Sequence, residues 1–266
     1  MANKLWIIIL LLSFISCEEV INIDLKESEP RFVIDAKITD SSPCFIILTE
    51  SQGFNNNEPY KRISGATIEL SDDRGNIETV KETKEKGIYM SLVTGRTGRT
   101  YTLNVSIGEE KYEAKATIPK AVPIDSLYIC NIRIGKDDWY SPCIIFQDPA
   151  GEENSYYTMM YVNGTMMRSI YLNDDEFRNG LVVERILYFD KEDNNDEELK
   201  TGDHIMVEMQ ALDKGMYTFY KSLYSVAAGG ATNPLTNFTG GALGCFKAYG
   251  ASYKEITINK DHIYTK

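Results

Sequence analysis

From residue 31 onward, apolar side chains return at every second position, in short runs separated by turn-forming residues. That period puts one face of each run in a core and the other in water, which a strand does and a helix does not. Phe32-Val33-Ile34-Asp35-Ala36-Lys37-Ile38 opens the series, and residues 44–49 follow behind Pro43. Further runs are Ala66-Thr67-Ile68-Glu69-Leu70, residues 77–81, a start at Gly87-Ile88-Tyr89-Met90, and residues 101–107 and 111–118, with Pro119 as the stop. Short strands at this spacing predict a β-sandwich over residues 31–120. The 17 tyrosines suit the same pleated, half-buried surfaces.

Residues 120–123 read as a boundary, and residues 121–266 as a second β-rich domain. Its clearest local signal is Asn163-Gly164 between two tyrosine- and methionine-rich runs, because a type I′ hairpin turn requires positive φ at both central residues. Further strands are expected over 181–189 and 204–212, a glycine-rich one over 240–249, and a last one over 255–259. One helix is expected near residues 213–228. Asp213 caps it, Met216, Phe219, Tyr220, Leu223, Tyr224 and Ala227 share one face against the sheet, and Gly229 ends it.

The N-terminus carries an address. After Lys4, residues 5–15 are almost unbroken apolar sequence, too short for a bilayer span and right for the core of a secretory signal. Ser16-Cys17 ends that run, and polar sequence follows at once. Phe14-Ile15-Ser16-Cys17 resembles a bacterial lipobox. The resemblance implies a signal peptide over residues 1–16, cleavage before Cys17, lipidation of Cys17, and a tether over 17–30. Glu18 and Glu19 resemble the export signals of surface lipoproteins, so an outer-membrane location facing the cell surface is expected over a periplasmic one.

A net charge of −11 repels phosphate backbones and excludes nucleic acid as a natural partner. It also disfavours polybasic adsorption to anionic lipid, leaving a covalent anchor as the membrane link. Of the five cysteines, Cys44, Cys130, Cys143 and Cys245 remain once Cys17 is acylated. Cys130 and Cys143 could pair across a hairpin, but Cys130 lies in line with Tyr128, Ile132 and Ile134, and a free buried thiol serves as a small hydrophobe.

Catalytic signatures are missing. The two histidines, His204 and His262, are far apart in sequence, and no nucleophile elbow, zinc motif, P-loop or dinucleotide fingerprint occurs. The acidic run 190–198 departs from an EF-hand at Glu198, where the turn glycine belongs, so it reads as a solvated loop and no cofactor or metal is expected. Tyr156, Tyr157, Tyr161, Tyr171 and Trp139 could stack on a sugar or peptide, although most such rings pack between sheets. Asp125-Ser126-Leu127 resembles the short O-glycosylation motif of Bacteroidota.

Gly65-Ala66-Thr67-Ile68-Glu69-Leu70, Gly87-Ile88-Tyr89 and Tyr101-Thr102-Leu103 resemble the Ig-like or transthyretin-like sandwiches of exported bacterial proteins. Several stretches together resemble the DUF4249 family of Bacteroidota lipoproteins. They are Cys17-Glu18-Glu19-Val20 leading to Asp24-Leu25, Pro30-Arg31-Phe32-Val33-Ile34, Gly65-Ala66-Thr67-Ile68, Pro123-Ile124-Asp125-Ser126, and Asn233-Pro234 through Gly240-Gly241-Ala242-Leu243-Gly244-Cys245-Phe246. That family offers no catalytic residues to transfer. Its members are often encoded beside TonB-dependent transporters, which implies a non-catalytic binding or accessory module in nutrient uptake. A structural or adhesive surface lipoprotein is the alternative, and a hydrolase with an unrecognised carboxylate site the third reading.

Overall fold

The computed structural model describes residues 29–53, 56–134, 136–169, 171–230 and 232–265; the expected signal peptide, Cys17 and the tether up to residue 28 lie outside them. The first seven strands are β1 (Phe32–Thr39), β2 (Pro43–Glu50), β3 (Thr67–Asp72), β4 (Ile77–Glu82), β5 (Ile88–Thr94), β6 (Thr100–Ile107) and β7 (Glu110–Thr117). Alternation builds their core directly. Ile34, Ala36 and Ile38 of β1 meet Cys44, Ile46 and Leu48 of β2 on one layer, and Tyr101, Leu103, Val105, Tyr112, Ala114 and Ala116 of β6 and β7 cover them from the other. β4 belongs to both layers: it pairs with β3 through Ile68↔Val80 and with β5 through Glu82↔Tyr89.

The loop beside β4 is held by one carboxylate. Glu82 accepts from the Ser64 hydroxyl at 2.7 Å, the Gly87 N–H at 2.7 Å and the Gly65 N–H at 3.2 Å. The Ser64 and Gly87 donors hold its carboxyl below the usual glutamate range. A depressed folded pKa gives stability that is present above the unfolded value and lost as pH falls through the folded one. The acid limb of a melting-temperature profile should therefore be flatter in Glu82→Gln than in the parent; parallel limbs would show that Glu82 carries no such linkage.

Beyond residue 117 come β8 (Ser126–Ile134), β9 (Asp137–Gln147), β10 (Ser155–Val162), β11 (Thr165–Met166), β12 (Tyr171–Asp174), β13 (Val182–Ile186), β14 (His204–Leu212), an α-helix, α1 (Lys214–Ala227), β15 (Leu243–Thr257) and β16 (Ile263–Thr265). The Asn163-Gly164 hairpin forms as predicted, with φ of 50° and 83°, and joins β10 to β11. β13, β9, β8 and β16 make a four-stranded sheet. Its inner residues Ile129, Ile144, Phe146 and Val183 pack on Tyr156, Met160, Val162, Ile205, Val207 and Met209 of β10 and β14, forming a second core.

β15 links the two cores. Residues 240–249 and 255–259, expected as separate strands, lie largely within one strand of 15 residues. Its first part runs parallel to β1, from Val33↔Leu243 to Thr39↔Tyr249, and its second part pairs antiparallel with β14, from Leu212↔Tyr249 to His204↔Thr257. Phe246 and Ala248 thereby join the first core, although the chain has already passed through the second. Among the described residues the result is mainly β, with two sheets and one α-helix.

Candidate functional site

Among the described residues β12 is paired on one side only, to β10, and β13 is an edge of the small sheet. Tyr171 of β12 reaches across and donates its hydroxyl to the Tyr188 carbonyl at 2.6 Å, just beyond β13. A cavity of about 450 Å³ lies between these two edges and is roofed by Tyr217, Lys221 and Tyr224 of α1.

The helix starts as its sequence predicts, with the Asp213 side chain accepting from the Met216 N–H at 2.8 Å. Its expected apolar stripe packs less than periodicity implied. Met216 alone is fully buried, Tyr220 stacks on Tyr157 with ring centroids 4.4 Å apart, and Tyr224 is 59% exposed. The reason is geometric: α1 meets the sheet through its first turns, and the later turns stand clear of it.

That offset leaves a trough of about 780 Å³. Lys214, Tyr217 and Lys221 form its helical wall, and Glu153, Asp174 and Asp175 its sheet wall. The Tyr217 hydroxyl crosses between them to Asp174 Oδ2 at 2.6 Å. Burial, followed by the accepting Asp174 carboxylate, pushes this phenol up to about 12, so it remains a neutral donor. Ser222, also in the trough, donates to the Phe219 carbonyl and accepts from the Leu235 N–H, both at 2.8 Å. Its hydroxyl is committed to backbone.

The loop after β12 is built around two buried carboxylates. Asp148 accepts from the Tyr156 hydroxyl at 2.5 Å and from the Gly180 N–H at 3.0 Å, and Asp175 accepts from Asn179 Nδ2 at 3.1 Å. These bonds fix residues 175–180, on which Phe177 and Arg178 stand exposed. A second cavity of about 340 Å³ lies beside Phe177, Arg178, Arg185 and Tyr217. Side chains of both signs thus line a continuous set of surfaces around Tyr217, suited to holding a polar ligand.

The aromatic residues singled out from sequence separate by strand parity. Tyr156 faces the second core, while Tyr157 and Tyr161 take the opposite face of β10. Tyr171 lines the cleft between β12 and β13, and Trp139 is 51% exposed on β9. His204 lies 3.4 Å from Glu255, and His262 Nδ1 lies 2.9 Å from the Thr257 carbonyl, so the two serve different strand ends. In the acidic run, Asp190 caps a 3-10 turn over Lys191–Asn194, Asp193 accepts from the Arg168 and Ser169 N–H groups, and Glu197 and Glu198 face Lys200 and Lys191. Among the described residues no group of three or more His, Cys, Asp or Glu side chains is placed to hold a metal. Cys44, Cys130, Cys143 and Cys245 are buried free thiols; burial pushes Cys143 up to about 12.

Tyr217, Lys221, Arg178 and Arg185 were not singled out by motif. One signal was available: Arg185 shares the parity of the apolar Val183 and Leu187 in the run 181–189.

No curated protein matches the chain. Among solved structures, a DUF4785 family protein from Legionella pneumophila is similar over 71% of this chain and 53% of its own, at 7% identity and a TM-score of 0.27. The chain thus spans about half the length of that protein. The family model described as a domain of unknown function, DUF4249, matches residues 18–255, and the chain belongs to that family.

Proposed function

We propose that this protein is a lipid-anchored binding module at the outer membrane, facing the cell surface, that works without catalysis beside a TonB-dependent transporter in nutrient uptake. The observation that carries the reading is the trough under α1. Its 780 Å³ lies in the usual range for small-ligand sites, and its walls offer lysines and carboxylates of both signs. Two of its hydroxyls, on Tyr217 and Ser222, are engaged in structural hydrogen bonds. The Cys17 anchor supplies the location: each buried methylene contributes about 0.8 kcal/mol, and stable attachment takes more than one chain.

Two measurements test this. Cys17→Ser should shift the protein from the membrane to the soluble fraction, and unchanged membrane retention would remove the anchor from the reading. A gentle-detergent pull-down of the tagged lipoprotein should bring a TonB-dependent transporter in stoichiometric amount. A clean protein would instead favour the structural or adhesive alternative. That alternative draws support from Ile77, Met90, Leu92 and Val93, four apolar residues left exposed on β4 and β5, with Leu92 at 91%.

A further inference from the structure

Strand parity puts Arg185 where a charge is costly. Val183 on β13 and Leu187 just beyond it are both buried, and Arg185 lies between them on the same side of the chain. The side chain therefore leaves the strand on the inward face, at the rim of the second core, and is half-buried. None of the ion pairs among the described residues includes it. In a chain with 39 acidic residues against 28 basic ones, an inward arginine that enters no ion pair among the described residues is the exception.

A second cation stands beside it. Arg178, which is likewise in none of the ion pairs among the described residues, lines the same cavity of about 340 Å³, where Asp174 is the one carboxylate of the lining. Lys221 lines the neighbouring 450 Å³ cavity, which shares Arg185 and Tyr217. Burial, and then the positive charge of Arg178, lower the Arg185 pKa, and Asp174 only opposes this. Asp174 already accepts the Tyr217 hydroxyl. The cluster thus has guanidinium donors to spare and a space in front of them. A guanidinium fork matches the paired oxygens of a carboxylate, sulfate or phosphate. Tyr217 and the 83% exposed Phe177 offer ring faces for the rest of such a molecule.

We propose that Arg178 and Arg185 form an oxyanion subsite that clamps the acidic group of a small ligand held against Tyr217 and Phe177. This rests on the reading of the trough and its side cavities as a ligand site. The competing explanation is edge protection: inward charges on edge strands prevent strand-to-strand aggregation. It accounts for Arg185 but not for Arg178.

Calorimetric titration of the purified full-length lipoprotein at low ionic strength separates them, with glucuronate, inorganic sulfate, inorganic phosphate and neutral glucose as probes. At least one anion is expected to bind at millimolar concentration and glucose to bind much more weakly. The preferred anion identifies the acidic group. Arg185→Gln and Arg178→Gln should each weaken that binding about tenfold or more, and Arg185→Lys, which keeps charge but not the fork, should fall between. Should Arg185→Gln fail to fold, Arg178→Gln on the exposed loop carries the test. Absence of binding by every anion, equal binding of glucose, or variants that bind like the parent would overturn the subsite. Unchanged binding with increased self-association of Arg185→Gln would assign it to edge protection. A lipoprotein that binds anions but captures no transporter would retain the subsite and lose the transporter partnership; the reverse result would lose only the subsite.

Discussion

Gly244→Ala should cost about 3–5 kcal/mol of folding stability, whereas Gly241→Ala, three residues earlier, should cost about 1 kcal/mol. Both glycines have positive φ, +94° and +89°. An alanine at either site carries the strain of a left-handed backbone. They differ in surroundings. A Cβ on Gly241 meets nothing within 4 Å, while one on Gly244 would run into the Ile34 carbonyl oxygen, with its carbon at 2.8 Å. Ile34 sits in β1, which is hydrogen-bonded to β15 on one side and to β2 on the other, and its side chain is fully buried. The obstacle is therefore backbone held from both sides, and it cannot swing away as a side-chain tip would. Since whole domains are stable by only about 5–15 kcal/mol, Gly244→Ala should move the denaturant midpoint sharply. Equal losses at the two sites would show that conformational strain alone decides and that β1 gives way freely at Ile34.

The same junction marks where reading the sequence stops. The alternating runs, the Asn163-Gly164 turn and the Asp213 cap are local signals, each written within a few adjacent residues, and the hairpin, the helix and most of the strands they predict are present, with 240–249 and 255–259 joined into one. The pairing of β1 with β15 joins Val33 to Leu243 across most of the chain, and nothing near either residue announces a parallel partner. It is a tertiary outcome of which apolar edge remains open once the local strands have formed. The helical stripe failed for a related reason. Periodicity gives the apolar face of α1, but how far that face lies against the sheet depends on where Asp213 anchors its first turn. The aromatic candidates show the limit at single residues: Tyr156 and Tyr157 are neighbours, yet parity sends one into the core beside Phe146 and the other out against Tyr220. Arg185 was legible as an inward charge, but that it enters no ion pair among the described residues became visible only with the fold.

Asp213→Ala should destabilise the protein by about 2–4 kcal/mol and release the helix that walls the trough. The side chain has two tasks. Its Oδ1 accepts from the Met216 N–H at 2.8 Å as the helix cap, and its Oδ2 accepts from the Thr117 N–H at 3.0 Å, at the end of β7 in the first sandwich. Alanine removes both acceptors, so a cap worth about 1 kcal/mol is lost and a part-buried backbone N–H is left without its partner. The helix has little else to hold it. A 14-residue helix is marginal on its own, and here only Met216 is fully buried. Tyr217, Lys214 and Lys221, which face the trough, depend on that first turn for position. Circular dichroism should show lost helical signal in Asp213→Ala before the main unfolding transition, and amide exchange should quicken across 214–227 more than across β10 or β14. Burial raises the Asp213 carboxyl, against the bonds from Met216 and Thr117, so the ionised group works at a desolvation cost. Asp213→Asn avoids that cost and keeps one acceptor, and its loss should be about half that of alanine. If Asp213→Ala instead melts as one cooperative unit, with helix and sheet unfolding together, α1 is held by its stack on Tyr157 more than by its cap, and the trough would keep its shape without Asp213.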